Sequence, residues 1–284
     1  MMIPLDWLLA PLSYGFMQRG LIASVLVGVL CAVVGCYIVL RSMAFLGDAL
    51  AHGILPGVAI AYLLQIDLRL GALAAGIVVA LGIAFFSRPG TIKEDTAIGI
   101  LFAASLSLGV LLISTIRTYA VDLTHILFGN VLGVSPGDLW LIGGLTCVVL
   151  VTIVFLYKEF LVLSFDPVHA AALRLPTNLL RHLMLILLAL TIVVSLQIVG
   201  AGLVAAMLVT PGATAYLVTR RLSSMMILAA GLGAFSGVIG LYLSFYFNVA
   251  SGAAVVLTAT GFFVLVFLLA PHKGVLWSRR RRRL

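Results

Sequence analysis

"LGDALAHGILPG", residues 46–57, interrupts a strongly apolar run with an aspartate, a histidine, a proline and a glycine. Asp48 and His52 stand four apart, so on a helix they project from one face about one turn from each other. Eleven residues lead from Arg41 to His52. On a helix that is a rise of roughly 16 Å, about half the hydrocarbon thickness of a bilayer.

The rest of the chain says that a bilayer is the right frame. Of its 284 residues, 63% are hydrophobic and only 9% charged, with a mean hydropathy of +1.28. A water-soluble fold must cover its outside with charge, which this composition cannot do. The reading is an all-α, polytopic integral membrane protein forming one domain over residues 1–284, because no soluble-looking stretch is long enough to fold separately. The three cysteines, Cys31, Cys36 and Cys147, fall in apolar segments without CxxC spacing and read as small packing residues.

Apolar windows of about 20 residues suit helices that cross the hydrocarbon core. They run Leu21–Leu40, Ala44–Leu64, Leu70–Ser87, Thr96–Ile116, Leu139–Tyr157, Leu179–Gln197, Gly200–Val218, Met225–Phe247 and Ala253–Leu269. Nine spans result, or eight if one is re-entrant where "SLQIVGAGL" leaves almost no loop near residue 200. The first residues, 1–16, lack the basic start and cleavage site of a secretory signal. With Trp7 and Tyr14 they suit a segment lying at the membrane interface.

Basic residues orient this layout. With the N-terminus outside, only Arg19, Arg69 and Arg117 of the 17 lysines and arginines face out. The others, including the tail arginines Arg279 to Arg283, face the cytoplasm, as the positive-inside rule requires. The net charge of +8 is therefore a topology signal, and nucleic acid is not implied. The basic tail, 272–284, is read as a cytoplasmic topology determinant.

Against this map the acids Asp6, Asp67, Glu94, Asp95, Asp122, Asp138, Glu159 and Asp166 lie in loops or at helix ends, and Asp48 alone is deep in a span. Among the histidines only His52 is deep. A mid-membrane charge costs several kcal/mol and normally faces a water-lined path or a partner. Carboxylate oxygen with imidazole nitrogen suits borderline divalent ions such as Zn²⁺, Mn²⁺ or Fe²⁺. Two ligands do not complete a site, but two copies of the chain would supply four. The same spacing equally fits a hydrogen-bonded Asp–His couple that holds helices together or relays protons.

Pro56 and Gly57 follow one turn later. Proline removes a donor and crowds the carbonyl four residues back, so a kink near His52 is expected, and broken helices line many transport paths. Pro211 and Gly212 form a weaker echo in a later span. On the cytoplasmic side, "LSFDPVHAAALRLP" (163–176) places Asp166 as the N-cap of a short helix beginning at Pro167, with Pro176 ending it. By itself it reads as a linker on the membrane surface or a helix that docks on a partner.

Several stretches together resemble the permease subunit of the zinc/manganese/iron ABC transporter family. They are "VLRSMAFLGDALAHGILPGVAIAYLL" (39–64), "EDTAIGILFAASLSLGVLLIS" (94–114), "LFGNVLGVS" (127–135), "SFDPVHAAALRLP" (164–176), "IVGAGLVAAMLVTPGATAYLVTRRL" (198–222) and "FYFNVASGAAVVLTATGFFVLVFLLAP" (245–271). The resemblance implies a permease homodimer, two cytoplasmic ATPases, an external metal-delivering binding protein, and Asp48 and His52 as metal contacts. It implies that Ser164, Phe165, Asp166, Pro167, Ala170 and Arg174 belong to the element coupling to the ATPase. The family usually has glycine where this chain has Arg174.

No G-x-x-x-x-G-K-[ST] occurs, so the chain is expected not to be an enzyme and ATP to be hydrolysed on a partner. No permanent cofactor is implied; the divalent metal is cargo. A proton-coupled secondary metal transporter and a permease for siderophore or cobalamin chelates are the alternatives. An intramembrane hydrolase lacks a G-x-S-x-G or H-E-x-x-H motif.

Overall fold

A computed structural model describes residues 9–87, 92–115 and 131–270. Residues 1–8 of the N-terminal segment, the loop after Ile116 up to residue 130 and the basic tail lie outside the described residues. A chain in hydrocarbon must satisfy every backbone N–H and C=O internally, which a helix does with neighbours four residues away. All the regular secondary structure among the described residues is helical.

The long elements are α1 (Gly15–Leu40), the pair α2 (Phe45–Gly53) and α3 (Leu55–Leu63), α4 (Leu68–Phe86), α5 (Glu94–Ser114) and α6 (Pro136–Phe155). Two short helices follow, α7 (Tyr157–Phe165) and α8 (Pro167–Ala172). The chain then continues through α9 (Thr177–Val199), α10 (Ala201–Val218), α11 (Leu222–Phe247) and α12 (Ser251–Leu269). Taking α2 and α3 as one broken span, eight of these stretches among the described residues are long and apolar enough to cross a membrane. α10 is the additional, shorter helix.

α9 and α10 meet at Gly200 with no loop, at the boundary the sequence left open. Its φ of 87° and ψ of 160° lie in a region essentially reserved for glycine, which is how the chain turns in a single residue. The expected α6 start at Leu139 moves back to Pro136, because Ser135 and Asp138 form a reciprocal capping box. The expected span ending at Tyr157 also separates into α6 and α7, at Leu156.

α1 runs through the middle, packed by α11, α10, α6 and α9. Leu30, Cys31, Ala32 and Cys36 of α1 are fully buried. Cys31, Cys36 and Cys147 are free thiols; the first two are packed in the core, as expected, whereas Cys147 is exposed and is not the packing residue the sequence suggested. The outside is inverted relative to a soluble protein: Phe155, Val154, Ile227 and Leu257 are largely exposed. Such continuous apolar surface is what lipid covers. Inside the spans, several hydroxyls are satisfied locally, with Thr191 donating to the Leu187 carbonyl and Ser195 to the Thr191 carbonyl.

Lipid tails are as apolar as leucine, so close van der Waals packing holds such helices together. α3 and α4 show it most directly. A Cβ on Gly57 would overlap the Gly71 carbonyl, and a Cβ on Gly71 would overlap the Gly57 carbonyl. The two backbones therefore touch where the sequence placed a gate glycine. Gly57→Ala and Gly71→Ala should each destabilise the protein by about 1–3 kcal/mol through overpacking. Thermal denaturation in detergent tests this against Gly143→Ala, whose Cβ meets nothing within 4 Å. Equal stability of all three variants would contradict the contact.

Candidate functional site

The chain reverses from α1 into α2 through a tight cap. Ser42 adopts φ 57°, the Met43 N–H donates to the Ile38 carbonyl at 3.0 Å, and the Ser42 N–H donates to the Val39 carbonyl at 3.1 Å. This Schellman geometry ends α1 and starts α2 at a fixed angle. α2 is then seated on three sides. Gly47 faces Ala205 and Leu208 of α10, and Gly53 faces Val79 of α4. The Phe102 ring of α5 lies 5.3 Å from Phe45 and 6.0 Å from the His52 imidazole.

Asp48 and His52 project from this clamped helix on one face, as their spacing requires. The His52 Nε2 to Asp48 Oδ1 distance is 3.6 Å, too long for a hydrogen bond but short enough to act on one ion. The side chains are 25% and 35% exposed for His52 and Asp48, while Leu46, Gly47, Ala49, Leu50, Ala51 and Gly53 around them are buried. The two side chains are close enough to form an ion pair if the imidazole is charged, and both remain partly exposed on the single chain. Among the described residues no group of three His, Cys, Asp or Glu side chains could hold a metal ion.

The expected kink is a full break. α2 ends at Gly53, Ile54 caps it, and α3 restarts with Pro56 in its first turn. Proline fits there because the first-turn N–H has no intrahelical partner. Pro211 behaves differently: it sits inside the uninterrupted α10, with Gly212 against the Gly35 backbone of α1. The echo in sequence is not a second break.

The segment read as a coupling helix, 164–176, is corrected in its boundaries. Ser164 and Phe165 close α7, Asp166 is the junction, and α8 comprises only Pro167–Ala172. Asp166 caps it as expected, accepting from the Val168 N–H at 3.0 Å and the His169 N–H at 2.9 Å. The helix stops before Pro176 because Arg174 takes φ 57°. The Leu175 N–H donates to the Ala170 carbonyl and the Arg174 N–H to the Ala171 carbonyl, at 3.1 and 3.0 Å. Arg174 therefore fills the left-handed position where glycine is the natural residue, and the departure from the family glycine keeps the turn. Ala170 is buried, while Phe165, Val168 and Leu173 present exposed apolar surface. Beside them a cleft of ≈ 440 Å³ is lined by Ser42, Phe165, Tyr216, Arg220 and Arg221, among others.

Sequence reasoning missed the charged group below α2. Glu94, first residue of α5, accepts from Arg41 Nη2 at 3.0 Å and from Arg181 Nε at 3.0 Å. Arg181 also donates to the Ser87 hydroxyl. Burial lowers the Arg41 pKa from its ordinary value, opposed by Glu94 and assisted by Arg181. At the opposite end Arg69 pairs with Asp138 at 2.5 Å. The one available signal was that Arg41, Ser87, Glu94 and Arg181 all fall at ends assigned to one side.

Fold and site together define a multi-pass membrane protein with an unbonded acid–imidazole pair on a broken helix. The chain belongs to the ABC 3 transport family, whose model matches residues 13–270. It is 48% identical over 273 residues to the manganese transport system membrane protein MntC of Halalkalibacterium halodurans, covering 95% of this chain and 94% of that protein. It is 42% identical over 260 residues to a probable iron transport system membrane protein of Haemophilus influenzae, covering 92% and 96%. Its structure matches PsaBC from Streptococcus pneumoniae, solved in complex with Fab, with a TM-score of 0.85 and 39% identity over 98% of this chain and 100% of that one.

A left-handed arginine costs about 1 kcal/mol or more relative to a relaxed backbone. Arg174→Gly should therefore leave the denaturation temperature in detergent unchanged or higher, whereas Arg174→Ile should lower it. A glycine variant as unstable as the isoleucine variant would contradict the cap.

Proposed function

We propose that this chain is the membrane-spanning permease subunit of an ABC transporter that carries a divalent transition metal ion inward, with Asp48 and His52 as its metal contacts. The observation that carries the reading is the unbonded, outward-facing pair on α2, with Nε2 and Oδ1 3.6 Å apart. A carboxylate and an imidazole accommodate Mn²⁺, Fe²⁺ and Zn²⁺ alike. The relatives named for manganese and iron support manganese first, with iron as its companion.

The assembly that serves this role is a homodimer in the cell membrane of a prokaryote. Two copies facing each other bring together two Asp48 and two His52 side chains, enough to replace much of an ion's water shell. Two cytoplasmic ATPase subunits supply the energy, and an external binding protein delivers the metal. The basic residues orient the chain with its N-terminus outside and its C-terminus in the cytoplasm. Phe165, Asp166, Pro167, Ala170 and Arg174, with Ser164 at the end of α7, then lie where an ATPase would press on α7–α8. The break at Ile54, followed by Pro56 and Gly57, lets α2 tilt without moving α3, which is bound backbone to backbone with α4. Alternating access follows as a shift between outward- and inward-open forms.

The metal contacts are tested by Asp48→Ala and His52→Ala, separately, in membranes holding permease and ATPase together. Metal uptake should fall by at least about tenfold, the lower range for losing a metal-site group, while expression and co-purification of the ATPase persist. Wild-type uptake in both variants would refute the assignment.

A further inference from the structure

Three charged side chains meet where α1, α4, α5 and α9 come together. Their exposures are 11% for Arg41, 14% for Arg181 and 20% for Glu94. Desolvating them costs several kcal/mol each, and the attraction offsets this only while the set is complete. Glu94 receives both guanidiniums, one at each carboxylate oxygen. Arg181 reaches on to Ser87, whose hydroxyl donates to the Ile83 carbonyl of α4. Arg41 Nη1 lies 3.8 Å from the Met184 sulfur of α9. Such a cluster has two low-energy arrangements, fully bonded or separated and hydrated, because a half-open state leaves a buried charge alone.

Its position gives it a use. Arg41 immediately precedes the turn into α2, the helix that holds Asp48 and His52. Glu94 begins α5, which carries the Phe102 ring set against His52. Arg181 lies in the first turns of α9, which α8 joins through Arg174, Leu175 and Pro176. The cluster thus ties both walls of the Asp48–His52 face to the helix that the coupling segment would move. With one carboxylate between two guanidiniums it also carries a surplus positive charge, which repels a cation.

We infer that Glu94 is a positioning residue for transport: bonded to Arg41 and Arg181 it latches α5 to the α1–α2 turn and to α9 and shuts the end of the metal path, and displacement of α9 by the ATPase releases it. The inference rests on the metal-path reading of Asp48 and His52. When α9 moves, Arg181 leaves Glu94, the surplus charge is lost from the neck, and the Arg41–Glu94 pair is free to part from α9.

The test uses the complete complex of permease and ATPases in liposomes, with Mn²⁺ as the probe. Glu94→Gln keeps the shape and removes the charge. ATP-driven uptake should fall about tenfold, an ordinary coupling free energy, and ATP-independent Mn²⁺ leak should rise severalfold, while ATP hydrolysis continues. Glu94→Asp should restore part of the coupling and lower the leak. Arg181→Gln, which leaves Glu94 paired with Arg41, provides a second variant should Glu94→Gln fail to assemble, and it too should leak. A fixed ratio of metal moved to ATP hydrolysed, with no leak in any variant, would overturn the latch. A loss of uptake without leak, unrelieved by aspartate, would likewise reduce Glu94 to a folding role and overturn it. Asp48→Ala measured alongside separates the two ideas: full uptake there fails the metal path, whereas loss there with tight coupling in Glu94→Gln fails the latch alone.

Discussion

A carboxylate and an imidazole within an apolar span are expensive to desolvate, and the structure around them is built to hold them partly exposed. Asp48 and His52 project from a helix whose remaining faces are clamped by α10, α4 and α5. The clamp uses glycines and aromatic rings, because close packing, not transfer from water, holds helices together in lipid. The break at Ile54 then separates α2 from α3, which is fixed against α4 through Gly57 and Gly71.

The same cost explains where the other charges sit. Glu94 and its two arginines stay near helix ends, where desolvation is partial and three partners satisfy one another. Arg69 and Asp138 do the equivalent at the other end. Each cluster ties together helices far apart in sequence. Charge therefore fixes the ends of a bundle whose middle is held by shape.

The spans were legible because hydropathy over about 20 residues measures crossing length directly. Ala44–Leu64, Leu70–Ser87 and Met225–Phe247 lie close to the helices found. The face each helix turns inward was not legible, since lipid and core are equally apolar and the amphipathic period that marks a soluble helix fades. That is why Phe102 was not foreseen beside His52. α7 escaped notice because it is only nine residues long and has the charged pair Lys158 and Glu159 in its first turn, which reads as the end of a span. The charged cluster was invisible because its two bonds, Arg41–Glu94 and Arg181–Glu94, join residues 53 and 87 apart along the chain. By contrast Asp48, His52 and the N-cap Asp166 were readable, as each depends on neighbours within four residues.

The central claim is that one chain holds half of a metal site and a second copy supplies the rest. Metal analysis of the purified permease–ATPase complex, equilibrated with Mn²⁺ and corrected with an Asp48→Ala control, measures it most directly. The account predicts one Asp48-dependent metal ion for every two permease chains. One ion per chain, or a bound ion that persists unchanged in the Asp48→Ala complex, would contradict it.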